Sequence, residues 1–525
     1  MLAAALAVVA LAATAVVPAA AAMAGGAPPP GATDSQDTAE TLAVHEAAST
    51  GKPVEVLAKR SETSDTVAQP DGKLTTTTYV QPKRVRKNGA WVELDPTLQS
   101  VPGGAVAPKG STADLRFSGG GSAPLVTMAR AGKELKLSWP KPLPKPVVNG
   151  ATAEYASILP DVDLRLSATK TGFTQVIVVH TPEAAKNPEL DQLRLGLQGN
   201  GLTFSQEADG TLKAKDPSGG GTVFEAPVPV MWDSSKPAVP ADAPKALKAA
   251  PQAEVAAPAQ NDPAAAGYGD LPGEGAKMTR LKVELPKDGL VLSPDQGMLD
   301  AADTVYPVMI DPAWNTPHAG DWAGVSRTYP NQPYWHFTYN SNYVHDWGVG
   351  YCGDTSRCAP TDVKRAFFQV ANPFVGKQVL SATFGTYESW SYSCDARPVE
   401  LWSTGYIGPG LTWNAQNANG FWSRYLQTIN TAKGWSGNCP GGWLEYGEDG
   451  AVRNLVQDAA NWGWPTITFG LKAQNEGDTL AWKRFTDDAY LRVYYNLRPN
   501  QIPMSDMTMS PGSVCQYPGI RINRM

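Results

Sequence analysis

Residues 164–179 read Leu164-Arg165-Leu166-Ser167-Ala168-Thr169-Lys170-Thr171-Gly172-Phe173-Thr174-Gln175-Val176-Ile177-Val178-Val179, and this stretch decides the fold class. Leu164 and Leu166 alternate with Arg165 and Ser167, the period of a half-buried strand. Thr171-Gly172 supplies a turn, and the chain returns as a β-branched run. A hairpin is therefore expected. Outward from it the same texture repeats: Gln81 to Arg86 runs through Asn88-Gly89 into Trp91 to Leu94, a type I′ turn signal. Leu135, Leu137 and Trp139 alternate after Gly132, and Leu202 to Phe204 meets Leu212 to Ala214 across Asp209-Gly210. Such units, close together, predict an antiparallel β-sandwich.

Composition agrees. The 525 residues hold 50 Gly and 45 Pro, which favours turn-rich β structure over long helices. The fold class expected is all-β: two antiparallel sandwich or jelly-roll-like domains, a disordered N-terminus and an Ala/Pro-rich insertion. The formal charge of −6 argues against nucleic acid as the main partner.

Met1 to Val17 is apolar, and small residues at Ala20 to Ala24 offer a signal-peptidase pattern. Residues 1–24 are read as a signal peptide although no Lys or Arg precedes the apolar run; an uncleaved anchor is the alternative. The expected location is secreted or wall-associated, with no membrane contact after cleavage. Residues 25–50 read as disordered, 51–313 as an N-terminal β-rich domain with a disordered insertion at 236–275, and 314–496 as a jelly roll. Residues 497–525 read as a linker and the start of a further module. Leu281 to Leu285 and Val305 to Ile310 are expected to close the first domain. In the second, strands are expected at 365–370, 378–387, 399–402, 466–471 and 490–495. A short helix is expected through Val452, Leu455, Val456 and Ala459, stopped by Gly463 and Pro465.

The 314–496 region carries 13 of the 16 Trp and four of the five Cys. Without Cys-x-x-Cys or zinc spacing, Cys352–Cys358 and Cys394–Cys439 are expected as disulfides, leaving Cys515 unpaired. Loop entropy would assign the short link roughly 2 kcal/mol and the long one about 4.

The motifs Arg84 to Val92, Leu94-Asp95-Pro96-Thr97-Leu98, Leu159 to Leu166, Met231-Trp232-Asp233-Ser234 and Tyr306 to Pro312 resemble the N-terminal region of secreted actinobacterial proteins. In those it precedes laminin-G-like or RHS modules. Thr412-Trp413-Asn414, Gly470 to Ala473, Trp482 to Phe485 and Leu491 to Asn496 resemble a DNRLRE-type domain. The resemblance implies a multi-module surface protein whose sandwich serves as a spacer or carbohydrate-binding-like module, and it carries no catalytic residue across.

Candidate chemistry is sparse. No catalytic constellation is legible, no metal site is expected, and the chain reads as a non-enzyme. The five His lack metal spacing; His336 and His345, in a Tyr/Trp-rich loop, read as packing or solvated groups, with a zinc or catalytic role for the pair as the alternative. Asp161 and Asp163 fall two apart on one strand face, the spacing of a calcium or glycosidase pair, with a solvated strand start as the plainer reading. Asn475 to Asp478 and Asp487-Asp488 offer oxygen to calcium; no other cofactor is expected. Trp390, Tyr392, Trp435, Trp443 and Tyr446 are the candidate ligand-binding residues, as loop aromatics able to stack on a cell-wall or extracellular polysaccharide, against packing around the disulfides. The leading reading is a surface scaffold or glycan-binding module. The alternatives are the delivery or shell part of an RHS-type toxin and, last, a secreted glycoside hydrolase.

Overall fold

The computed structural model describes residues 34–219, 221–235, 276–317, 320–336, 346–354, 358, 360–496, 508–509 and 513–514. The signal-peptide reading, the 236–275 insertion, His318, His345 and Cys515 lie outside the described residues, as does most of 497–525.

Two antiparallel sandwiches account for nearly all the strands. In the first, an eight-stranded sheet runs from Lys282–Glu284 through Gly289–Ser293, Leu193–Asn200, Lys133–Ser138, Val126–Arg130, Asp114–Phe117 and Val106–Gly110 to Asp95–Ser100. It packs on an eleven-stranded sheet containing the hairpin Val162–Ala168/Gly172–Val179, in register Leu164↔Ile177 and Leu166↔Gln175. Val162, Leu164 and Leu166 point into a core shared with Phe117, Leu135, Leu137 and Phe173. The returning strand is buried on both faces, because Val176 and Val178 turn the other way against Trp232 and Met309. The predicted closing segments supply Lys282–Glu284 at a sheet edge and Val308–Asp311 beside Gly172–Val179. Asn88 and Gly89 adopt positive φ of 49° and 82°, the turn geometry that joins Arg84–Lys87 to Ala90–Glu93.

The second sandwich is organised by the strand Lys483–Asn496. Gln378–Ser391 pairs along it on one side; on the other, Asp346–Cys352 and Leu74–Tyr79 share its length. Asp321–Ser326, Asp362–Ala371, Thr466–Ala473, Arg397–Thr404 and Trp422–Thr431 pair in that order and cover it. Phe368, Phe384, Phe469, Leu491 and Val493 fill the space between, with Phe384 and Phe469 stacked at 4.3 Å. Helix Ala451–Trp462 forms as its spacing predicts; Val452, Leu455, Val456 and Ala459 are buried and Gly463 ends it in the left-handed region. Both expected disulfides are present, Cys352–Cys358 and Cys394–Cys439.

Two domain assignments are corrected. Residues 51–313 do not form one unit: Val54–Glu55, Ser64–Ala68 and Leu74–Tyr79 belong to the second sandwich, Leu74 opposite Tyr495 and Tyr79 opposite Tyr490. The run Leu74-Thr75-Thr76-Thr77-Thr78 is weakly apolar, yet Thr76 and Thr78 are buried, and Thr76 hydrogen-bonds Thr66 and Tyr495. Residues 25–50 are not disordered throughout. Asp34–Thr50 is a helix whose Ala43 and Ala47 enter the second core, and whose buried Glu40 meets Lys59 at 3.5 Å. Alanine gives a weak apolar signal but lets the helix approach closely.

A fragment of residues 314–496 is therefore expected not to fold cooperatively, while the same fragment joined to residues 34–83 should. Leu74 alone is worth about 2–5 kcal/mol as a buried leucine, against a total of about 5–15 for a domain. Thermal melts followed by circular dichroism compare them; equal, cooperative melting of both would refute the assignment.

Candidate functional site

The candidate aromatic residues separate into three places. Trp390, Tyr392 and Trp435 do meet, with ring centroids 6.2–6.4 Å apart. Trp390 and Tyr392 pack on Cys352, Cys358 and the buried Trp482, and the Arg484 guanidinium lies 5.5 Å from the Trp390 ring. All three rings are half-buried, which matches packing around the disulfide. Trp443 and Tyr446 are not loop residues. Strand Gly442–Tyr446 alternates, so Trp443 and Glu445 face outward while Leu444 and Tyr446 face the core. Tyr446 is corrected as a ligand candidate: it is 0% exposed, and burial holds its hydroxyl well above the usual tyrosine range.

Trp443 sits on the outer face of the second sandwich, 5.6 Å from Tyr387 and 5.1 Å from Tyr490. Tyr490 lies across Gly385, where a Cβ would come within 2.3 Å of the ring. Its hydroxyl donates to Glu445, which also receives Arg492 at 3.0 Å; these contacts hold the Glu445 carboxyl below its usual range. Beside them Arg492, Tyr494, Asp71, Thr75, Ser381 and Thr383 line an open depression of about 520 Å³.

The acids singled out in the sequence are engaged elsewhere. Asp161 is in the turn before Val162–Ala168 (φ 53°), so it shares no strand face with Asp163. Asp163 contacts His180 Nε2 at 2.7 Å and accepts the Ser157 N–H. Glu476 holds Arg365 in a two-point pair at 2.7 and 2.8 Å, Asp478 holds Arg397 at 2.9 Å, and Asp488 holds Lys83. His336 is stacked between Trp322 and Trp335 at 4.2 and 4.5 Å, with Nε2 2.9 Å from Asp321. Among the described residues no three His, Cys, Asp or Glu side chains cluster as a metal site.

A cleft of about 330 Å³ between the sandwiches went unread in the sequence. Trp232 and Met278 wall it from the first sandwich; Trp322, Tyr334 and Trp347 wall it from the second. Lys170 and the buried Asp487 also line it. These residues are scattered over more than 300 positions, so no local pattern could collect them. The Met231-Trp232-Asp233-Ser234 motif was the available signal. Buried Asp233 accepts the N–H groups of Ser235, Lys277 and Val305 at 2.8–3.2 Å, which fixes Trp232 at the cleft.

No family model matches the chain. Among curated proteins it is similar to the tRNA(Glu)-specific nuclease WapA of Bacillus subtilis subsp. natto and the tRNA nuclease WapA of Bacillus subtilis. It is also similar to the tRNA3(Ser)-specific nuclease WapA of Bacillus spizizenii. Each is 22% identical over 365 residues, covering 66% of this chain and 13% of the relative. The chain thus spans a small part of the curated relatives it matches. Among solved structures, an exo-β-1,3-galactanase from Phanerochaete chrysosporium aligns with 79% of this chain and 100% of its own, at 9% identity and a TM-score of 0.14. At that score the likeness carries no argument. The expectation of a non-enzyme is corrected: the matched relatives are named as nucleases, which are enzymes. No helix among the described residues is long and apolar enough to cross a membrane.

Burial pushes the Asp487 carboxyl up from 3.8 to about 7, with Lys170 opposing the shift, Asp488 adding to it and a Gln81 hydrogen bond opposing it. Between those values the folded chain binds the extra proton, so stability falls as pH rises from about 4 to about 7 and then levels. Asp487→Asn is expected to flatten that fall and to stabilise the chain at about pH 8 relative to wild type. Urea melts at about pH 5 and pH 8 measure it; an unchanged pH slope in the variant would exclude Asp487 as the source.

Proposed function

We propose that this chain is the exported, sandwich-built portion of a WapA-like tRNA-nuclease toxin, serving to display or deliver it. The observation that carries this reading is the similarity to three nucleases over 66% of the chain. The signal-peptide pattern and two disulfides support an oxidising, extracellular setting. The sequence resemblance to modules that precede RHS repeats points the same way. On this reading tRNA is a substrate of the whole protein, which revises the partner class argued from net charge. In-frame deletion of residues 34–496 from the full-length gene product should abolish tRNA cleavage in neighbouring target cells while leaving the remaining protein detectable. Undiminished cleavage, read by sequencing of tRNA ends, would sink the proposal.

A second reading concerns the outer face around Trp443. Its exposed ring, flanked by Tyr387 and Tyr490 and by the polar depression at Arg492 and Asp71, suits a sugar ring that stacks while its hydroxyls find donors and acceptors. We propose cell-wall polysaccharide as its ligand. Trp443→Ala should weaken retention of the purified chain on insoluble cell wall by about tenfold, as loss of about 1.4 kcal/mol would. Equal retention of variant and wild type would remove Trp443 from the surface that binds.

A further inference from the structure

Glu388 and Lys483 have side chains that are both 0% exposed, with Nζ 3.5 Å from Oε1. They belong to the paired strands Gln378–Ser391 and Lys483–Asn496, where Ser391 opposes Lys483 and Glu388 opposes Phe485. Their surroundings are unequal. Glu388 Oε2 accepts the Thr431 hydroxyl at 2.5 Å, and Oε1 accepts the Lys433 backbone N–H at 3.0 Å. Among the described residues Lys483 Nζ has no hydrogen-bond partner of good geometry, and Glu388 is its ion-pair partner. An ammonium has three donors to satisfy, and leaving all three unmet in a sealed site is among the costliest arrangements a protein can hold. Burial drives both groups toward their uncharged forms, lowering the lysine and raising the carboxyl. An uncharged amine carries a free lone pair. It meets the Glu388 carboxyl at Oε1, the oxygen that also accepts the Lys433 N–H, while Thr431 holds Oε2.

We propose that Lys483 and Glu388 are joined by an intramolecular amide bond that ties the two strands together. The Nζ lone pair attacks Cδ, an N–C bond forms and the Cδ–Oε2 bond breaks. Oε2 leaves as water, carrying the carboxyl proton and one amine proton, so no oxidant, reductant or cofactor is required. The Lys433 N–H is placed to stabilise charge gathering on Oε1 during the attack, and the Thr431 hydroxyl holds the departing oxygen. The product replaces two buried ionisable groups with one neutral amide, and exclusion of water protects it from hydrolysis.

The test uses the purified full chain, reduced and denatured. Its intact mass should be one water lighter than the sequence requires. A tryptic digest should contain a branched peptide joining the segments around Glu388 and Lys483, with no cleavage after Lys483. Lys483→Arg and Glu388→Ala should each restore the full mass and abolish the branched peptide. Full mass in the wild-type chain, with positions 388 and 483 recovered in separate linear peptides, would overturn the proposal and leave a non-covalent buried pair. Should neither variant accumulate, the wild-type peptides decide alone.

Discussion

The antiparallel pairing of Leu74–Tyr79 with Lys483–Asn496 is the constraint on which the architecture depends. It joins residues more than 400 positions apart and encloses the entire first sandwich between two strands of the second. Such a contact contributes nothing until the intervening chain is compact enough to bring its ends together. The strand pairings of the first sandwich, by contrast, all lie within residues 95–315. The second cannot close its core until Asn496 is available, because Leu74, Ala68 and Val80 are part of that core. Arg130 to Glu62 at 3.0 Å and Arg280 to the Asn331 carbonyl at 3.1 Å then bridge the two bodies.

The concentration of tryptophan in the second half has a common physical basis. Strand glycines give the indoles a surface on which to lie: a Cβ at Gly348 would come within 2.0 Å of Trp482, and one at Gly324 within 2.2 Å of Trp347. Other faces of these rings seat cations. Lys364 lies 4.8 Å from Trp347 and 5.8 Å from Trp482; Arg365 lies 4.5 Å from Trp413 and 5.2 Å from Trp422; Lys472 lies 4.3 Å from Trp402. Stacking a cation between aromatic faces keeps it charged at less cost than burying it among aliphatic groups. Most indoles of this half are therefore engaged by their own chain. Trp443 differs in presenting its ring outward from a strand, whereas the exposed Trp462 and Trp464 flank the end of a helix.

What could be read in the sequence was what a short window contains. Leucine alternation at 164–166, the Asn88-Gly89 turn, the helix around Leu455 and the cysteine pairs each have a local signature, and each is present in the fold. The place of Leu74–Tyr79 in the second sandwich was hidden, because a run of four threonines fits a solvated edge as well as an interior strand. Only Tyr495 and Thr66, as hydroxyl partners of Thr76, decide between them. Trp443 and Tyr446 looked alike as aromatics near glycines, but an odd spacing of three puts them on opposite faces of a strand. The cleft and the Glu388–Lys483 pair depend on which distant strands become neighbours, and no window of sequence records that.

Asp233 has a consequence for how the chain can vary. By gripping the N–H groups of Lys277 and Val305, it locks together the two points where the chain departs after Ser235 and re-enters at Ala276, beside the paired strands Val230–Trp232 and Met278–Arg280. Any replacement of Asp233 that lacks such an acceptor frees three backbone N–H groups at once, at Ser235, Lys277 and Val305, so the sequence tolerates little change at this position.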